Sequence, residues 1–278
     1  MKNFLLLIAL FSFLIQPCQA WSWNSNNKDE NSIEKLLKNQ VKYANKNNFE
    51  KFIKTYDSKY VNTDGFNLDI YSNLVKDIWN TYEDIKYAIE IKDIELKGNK
   101  AEVKLIETSY AEIPLSKVYE GILKSKADSI YFLEKIDGHW KVTSDSVLDE
   151  TTTMLYGEAK DLDIKLTVPT EITANTDYIA TLEFIPPEKT IAIASIASDI
   201  VEYPQKPTKE VFRPMPEDNI LERYFTSNQQ DANEYIVASI GLTKTEISDL
   251  SLKMNLTGFG YAIRRVNVIH DKKGDKNE

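Results

Sequence analysis

The chain has 278 residues, 42% of them apolar and 28% charged, which is the balance of a folded chain and not of a disordered or collagen-like one. It contains one Cys and two His, so disulfide frameworks, Cys/His zinc sites and Cys-ligated clusters are excluded. The net charge is −9 and there is no basic stripe, which disfavours nucleic acid as a partner. The length predicts one large domain or two of ordinary size.

The first twenty residues have the pattern of a secretory signal peptide. An apolar run at residues 4–15 is too short to span a bilayer, and the small residues Cys18 and Ala20 suit cleavage after Ala20. A lipoprotein acylated at Cys18 is the disfavoured alternative, because Gln16 and Pro17 stand where a lipid-attachment motif would have small residues. We therefore expect a periplasmic or secreted protein with no transmembrane anchor after cleavage.

Residues 21–30 form a polar, Asn-rich segment, which we interpret as a flexible lead-in, and a helical pattern of apolar residues begins after it. Apolar residues then recur at intervals of three and four, and Asn31 is a suitable N-cap for the first helix. A second helix is predicted after Asn47 or Asn48, and a third after Asn67. Three helices thus precede any strand.

The apolar period falls to two at residues 85–91, which predicts a β-strand. The alternation reverses its parity by Ile94, so we expect a β-bulge near Asp93. Gly98 and Asn99 then predict a tight turn into a second strand. Helices followed by a long antiparallel sheet indicate an α+β domain.

A hairpin is predicted at residues 131–142, with Asp137 and Gly138 as a type I′ turn. The run from Lys135 to Val142 resembles the last hairpin of the NTF2-like superfamily, which includes nuclear transport factor 2, ketosteroid isomerase and SnoaL-like domains. The segment from Asn48 to Asp57 is similar to the second helix of that group. The resemblance covers residues 32–150 and implies a cone of three helices on a curved antiparallel sheet, enclosing a pocket.

From residue 157 the pattern becomes all-β, with short alternating segments separated by Pro and Gly turn signals. It predicts an antiparallel sandwich at 157–270, similar in pattern to bacterial immunoglobulin-like domains, and a disordered tail at 271–278. Gly258 and Gly260 are expected in a turn before the last strand. All four Trp precede residue 157 and every Arg follows it, which supports two differently built domains, 31–156 and 157–270.

Candidate site residues are the aromatic and acidic side chains that the resemblance would place inside the cone. The candidate ligand-binding residues are Trp79, Tyr87, Tyr110, Tyr119, Tyr131 and Asp145. No spacing singles out a catalytic set, and His139 adjoins a turn that is normally exposed to solvent. We therefore expect no catalytic residue, no metal ligand and no cofactor.

These features predict an exported bacterial envelope protein that binds a small apolar ligand or another envelope protein without catalysis, with a homodimer through the NTF2-like sheet as one option. One alternative is an isomerase- or dehydratase-type enzyme in the cone, and another is a structural interaction module. An open apolar pocket without an acidic residue would favour binding, whereas buried Asp145 or Glu90 beside a Tyr would favour the enzyme. A closed cone packed by Tyr and Ile would favour the structural module.

Overall fold

The computed structural model describes residues 28–114, 120–206, 209–230, 232–248 and 251–269, of which 56% lie in strands. The predicted signal peptide, most of the lead-in, Tyr119 and the predicted tail lie outside the described residues. The α-helices are α1 Lys28–Ala44, α2 Phe49–Ile53 and α3 Leu68–Thr81, and a 3₁₀ turn spans Glu158–Asp161. The strands are β1 Lys86–Lys97, β2 Lys100–Pro114, β3 Glu120–Ile136, β4 His139–Gly157, β5 Lys165–Thr167, β6 Glu171–Thr173, β7 Asp177–Glu183, β8 Thr190–Ile200, β9 Arg213–Pro214, β10 Ile220–Thr226, β11 Glu234–Ser248 and β12 Ser251–Ile269.

Asparagine caps begin α2 and α3. The side chain of Asn48 accepts a hydrogen bond from the backbone N–H of Lys51, and that of Asn67 accepts one from Ile70 at 2.9 Å. Both caps confirm the sequence prediction. The predicted cap at Asn31 is wrong, because α1 already includes Lys28 and runs through Asn31.

The turns and the bulge of the first strands also agree with the sequence. β1 and β2 pair antiparallel, and their register shifts between Ile91 and Asp93, where the bulge is predicted. β3 ends at Ile136 and β4 begins at His139. The two residues between them have positive φ, 49° at Asp137 and 80° at Gly138, as a type I′ turn requires.

Nine strands of the described chain form one large, mainly antiparallel sheet. The order of its main path is β1–β2–β3–β4–β12–β11–β8–β9, and β6 pairs in parallel with β12. A second sheet has three strands in the order β10–β7–β5. The order shows that the last strand of the chain lies beside β4, far from it in sequence.

The predicted fold class, an NTF2-like cone followed by a separate immunoglobulin-like sandwich, is therefore wrong. β4 ends at Gly157, but its last residues pair with β12 from the second predicted domain, from Thr151 with Arg264 to Gly157 with Gly258. The alternation of apolar and polar residues identifies a strand but does not identify the strand beside it. Gly258 and Gly260, which were expected in a turn, lie within β12. At Gly260 the absent side chain matters, because a Cβ there would lie 2.6 Å from Leu155 Cδ2.

The described residues form two compact units. The helical unit comprises the described residues up to Ala111 together with Lys124–Val147, and the strand unit comprises those of Glu112–Leu123 and from Leu148 onward. In the strand unit, buried residues of both sheets share one hydrophobic core. Alternate residues of β7, such as Ala180 and Leu182, and of β8, such as Ala194, contribute to it, as expected for strands with one buried face.

Candidate functional site

The helical unit contains a mostly apolar cavity of about 70 Å³. All three helices and strands β1, β2 and β3 contribute to its walls. Its aromatic lining residues are Phe52, Tyr56, Tyr71, Trp79, Tyr87 and Tyr131. Aliphatic side chains, including Val41, Leu74 and Ile89, complete the wall. An apolar cavity with few polar groups is the usual form of a small-molecule site.

Glu107 is the one carboxyl group that lines this cavity among the described residues. It lies on β2 and is buried, and its Oε2 accepts a hydrogen bond of 2.9 Å from the hydroxyl of Tyr131. Burial raises the pKa of the Glu107 carboxyl, and the hydrogen bond from Tyr131 opposes this rise. The protonated carboxylic acid, which can donate a hydrogen bond, is thereby favoured relative to an exposed glutamate.

Tyrosine rings pack together beside the cavity. Tyr56, Tyr60 and Tyr71 contact one another with ring centroids 5.0–5.3 Å apart, and the hydroxyls of Tyr56 and Tyr71 are 2.9 Å apart. The hydroxyl of Tyr60 donates to the buried carboxylate of Asp145. Burial raises the pKa of Tyr56, Tyr71 and Tyr131 well above the ordinary value, so all three remain hydroxyl donors at neutral pH.

Polar side chains fix the rim of the cavity. The indole Nε1 of Trp79 donates to the hydroxyl of Tyr87 at 3.1 Å, which holds α3 against β1. Asn45, just after α1, makes two bonds to the backbone of Tyr87: its Oδ1 accepts from the N–H at 2.7 Å and its Nδ2 donates to the C=O at 2.8 Å. These hydrogen bonds join the end of α1 and the α3 helix to β1 at the cavity.

The structure brings only some of the candidate residues together. Trp79, Tyr87 and Tyr131 line the cavity, whereas Asp145 is buried beside Tyr60 and is not part of its lining. Tyr110 of β2 pairs with Lys86 of β1 and does not line the cavity. Tyr119 lies outside the described residues.

Glu107 is not among the candidate residues predicted from the sequence, although its position in the alternating pattern of β2 indicates that it is buried. The buried residues of β2 are at odd positions, including Val103, Leu105 and Ser109, and Glu107 shares their parity. Glu90, which would favour an enzyme if it were buried beside a Tyr, is instead exposed and pairs with Lys92. A carboxyl residue on the apolar parity of a strand is the informative exception.

The buried carboxyl group of Glu234 lies in the strand unit, where hydrogen bonds hold it within the fold. Its two oxygens accept hydrogen bonds from the hydroxyl of Tyr178 at 2.7 Å, from Ser198 at 3.2 Å, and from the backbone and side-chain nitrogens of Asn228 at 2.7 and 2.8 Å. This carboxyl group joins β7, β8 and β11 to the loop after β10. Both oxygens are thus used within the fold, and Glu234 is a poor candidate for ligand chemistry.

Two features, a cluster of metal-ligating side chains and a membrane-spanning helix, are absent from the described residues. No group of three or more His, Cys, Asp or Glu side chains is placed to hold a metal ion in this part of the chain. Within the same residues, no helix is both long and apolar enough to cross a membrane.

Comparison with known proteins gives weak likenesses only. No protein-family model matches the chain, and no curated protein matches it. Bd1075 of Bdellovibrio bacteriovorus is similar with a TM-score of 0.36 and 15% identity, over 43% of this chain and 40% of that one. The Kfla4162 protein from Kribbella flavida has a TM-score of 0.36 and 10% identity, over 43% of this chain and 88% of that one. The chain thus covers less than half of Bd1075, and likenesses at this level carry no argument about fold or function.

Proposed function

We propose that this protein binds a small, mostly apolar molecule with one polar end in the cavity of the helical unit. The observation that carries the proposal is the buried carboxyl group of Glu107 in a wall of aromatic and aliphatic side chains. An apolar wall gives affinity by burial, and one polar group gives orientation. The exported location predicted from the first twenty residues is part of the same proposal.

The size of the cavity limits the ligand. Its volume of about 70 Å³ is roughly half that of an engineered apolar cavity of ~150 Å³ that takes up benzene. Suitable probes are therefore branched molecules of a few carbon atoms. Isobutanol and 2-methylbutane have nearly the same shape, but only isobutanol carries a hydroxyl that can reach Glu107.

The experiment measures the binding of both probes by ligand-observed NMR to the full chain and to two variants. Glu107→Leu removes the polar group, and Ala88→Met introduces a larger side chain into the cavity lining. We expect Ala88→Met to abolish binding of both probes, while Glu107→Leu weakens isobutanol more than 2-methylbutane. Ala174→Met is the matched control, because Ala174 is also half-buried but lies in the strand unit.

Two results would refute the proposal. One is that neither probe binds to the folded protein. The other is that Ala88→Met and Ala174→Met weaken binding equally, which would place the bound probe outside the cavity. Thermal unfolding of each variant establishes that the compared proteins are folded.

A second candidate function, proton transfer by an isomerase-type enzyme, is favoured by one observation. Glu107 and Tyr131 form an acid and hydroxyl pair inside the cavity, so one oxygen of the Glu107 carboxylate accepts a proton from a ligand carbon while the other keeps its hydrogen bond from Tyr131. A pocket without an acidic residue would favour binding over catalysis. The apolar cavity does not meet that criterion, because Glu107 lines it.

The test for proton transfer is hydrogen–deuterium exchange of 2-butanone in D₂O. The step moves a proton from the carbon next to the carbonyl to the Glu107 carboxylate. The carboxylic acid exchanges this proton for a deuteron of D₂O and returns the deuteron to the enolate carbon, which regenerates the ketone and the carboxylate. Protein-dependent exchange that disappears in Glu107→Gln and persists in Glu90→Gln would support catalysis. Exchange at the rate of buffer alone would leave binding as the function.

A further inference from the structure

A second cavity of the helical unit has a different chemistry. It is an open cleft of about 620 Å³ bounded by the first half of α1, the segment after α2 and the turn between β3 and β4. This volume lies within the roughly 300–1,000 Å³ of small-molecule sites. Its basic lining residues are Lys28, Lys35, Lys54, Lys135, His139 and Lys141.

The charge of the cleft is opposite to that of the chain. Five lysines and three carboxyl groups, those of Asp29, Asp57 and Asp137, line the cleft, so the lysines exceed the carboxyl groups by two. The whole chain has a net charge of −9. A concave site lined by one sign of charge concentrates the field and attracts ions of the other sign.

One acidic group of the cleft, Asp29, already has a positively charged partner within the fold. The carboxylate of Asp29 accepts hydrogen bonds from Lys135 Nζ at 2.5 Å and from the indole Nε1 of Trp140 at 3.2 Å. These bonds hold the pKa of Asp29 below its ordinary value, so the carboxylate stays charged and bound. They also fasten α1 to the β3–β4 hairpin, which preforms two walls of the cleft.

Other cationic groups remain available. Lys35 and Lys54 are exposed and have no ion-pair partner within the described part of the chain. They stand on different walls of the cleft, on α1 and just after α2. His139 is also exposed, next to the turn residue Gly138. Ammonium groups on separate walls suit a ligand with more than one negative charge, because each charge can meet its own partner.

We propose that this cleft binds a small polyanion, a molecule with two or more phosphate or carboxylate groups. The ligand lies over the β3–β4 turn, with Lys35 on one side and Lys54 on the other. The proposal does not depend on the apolar cavity, which has a different lining. Phosphoryl and carboxylate sources share this chemistry, and the probes below distinguish them.

The experiment is isothermal titration of the full chain with pyrophosphate and, separately, with citrate at low ionic strength, where charge interactions are least screened. The cleft variant is Lys35→Glu with Lys54→Glu. The matched control is Lys42→Glu, because Lys42 is an exposed lysine of α1 that does not line the cleft. We expect at least one probe to bind and the cleft variant to weaken it by about tenfold or more, with the control much less affected.

A milder variant and a second measurement keep the test decisive. Lys35→Gln with Lys54→Gln removes two charges without reversing them and should weaken binding in the same direction. In NMR spectra, the bound probe should shift the backbone amides of Gly138 and His139. The proposal is refuted if neither probe binds, if the cleft and control variants bind equally well, or if the shifted amides lie away from the cleft. The probe that binds more tightly identifies the anion as phosphoryl or carboxylate.

Discussion

The hydroxyl of Tyr131 donates a hydrogen bond of 2.9 Å to Oε2 of Glu107, between the neighbouring strands β3 and β2. Both side chains are buried, and both line the apolar cavity. A carboxyl group in such surroundings requires a partner, because an unsatisfied buried polar group costs about 1–3 kcal/mol. The pair is therefore both a stability element and the polar centre of the candidate site.

Replacing Glu107 by Gln should change how the stability of the protein depends on pH. Because burial raises the pKa of Glu107 above its ordinary 4.5, the native state holds this proton more tightly than the unfolded state does. The wild-type protein therefore loses stability from this group as the pH rises from about 4.5 through the raised pKa. We expect the free energy of unfolding of Glu107→Gln, minus that of the wild type, to increase over this range.

The measurement is urea unfolding at several pH values between 4 and 8. Glu90→Gln is the control, because Glu90 is exposed and ion-paired with Lys92. If the two variants show the same pH dependence, Glu107 is not desolvated in the way that the structure indicates.

Replacing Asn45 by Ala should destabilise the helical unit. The change removes both side-chain bonds to the backbone of Tyr87 and leaves a part-buried N–H and C=O without these partners. We expect a loss of about 1–3 kcal/mol in the free energy of unfolding. Asn31→Ala, at an exposed position of α1, should change it by less than about 0.5 kcal/mol. Equal effects of the two changes would contradict the role given to Asn45.

Replacing Gly260 by Ala should destabilise the strand unit by opposing the close approach of β12 to β4. The new Cβ would lie 2.7 Å from the carbonyl oxygen of Met154 as well as against Leu155, and the backbone cannot easily move away. We expect a loss of about 1–3 kcal/mol, measured by thermal or urea unfolding. In the control Gly241→Ala, the new Cβ meets only the flexible side chain of Ile193 at 3.2 Å, so a smaller effect is expected. A larger effect at Gly241 would argue against the β4–β12 pairing.

Expression in a bacterial host tests the predicted export. Mass spectrometry of the periplasmic or secreted protein should find a mature chain that begins at Trp21. Cys18→Ser should leave its mass unchanged, because Cys18 is removed with the signal peptide. A mature chain that begins at an acylated Cys18 would instead establish the lipoprotein alternative.

Local features of the helical unit were predictable from the sequence. The caps at Asn48 and Asn67, the bulge at Asp93 and the turn at Asp137 depend on residues a few positions apart, and each is confirmed. Such features follow from short-range hydrogen bonds and from backbone dihedral preferences, which composition and spacing reveal.

The fold class was not predictable in the same way. The partner of β4 is β12, and residues 151 and 264 meet only because the chain returns after more than a hundred positions. Periodicity gives each strand its buried face but does not determine its neighbour. Trp79, Tyr87 and Tyr131, which line the cavity, were among the candidates taken from the NTF2-like resemblance. Tyr56, Tyr71 and Glu107 were not, because they come together only when the helices meet the sheet.

The bulge in β1 is the one position at which that strand can lose a residue and keep its buried face. Before the shift, Ile89 and Ile91 face one side, and after it Ile94 takes the buried position although its parity is opposite. Deleting Lys92, the residue that the bulge adds, would restore one-to-one pairing with β2 and leave Ile94 on the same face as Ile91, whereas a deletion elsewhere in the strand would turn part of it to the opposite face. Homologues that lack this one residue would therefore keep the same polar and apolar positions, and their strand would pair without a bulge.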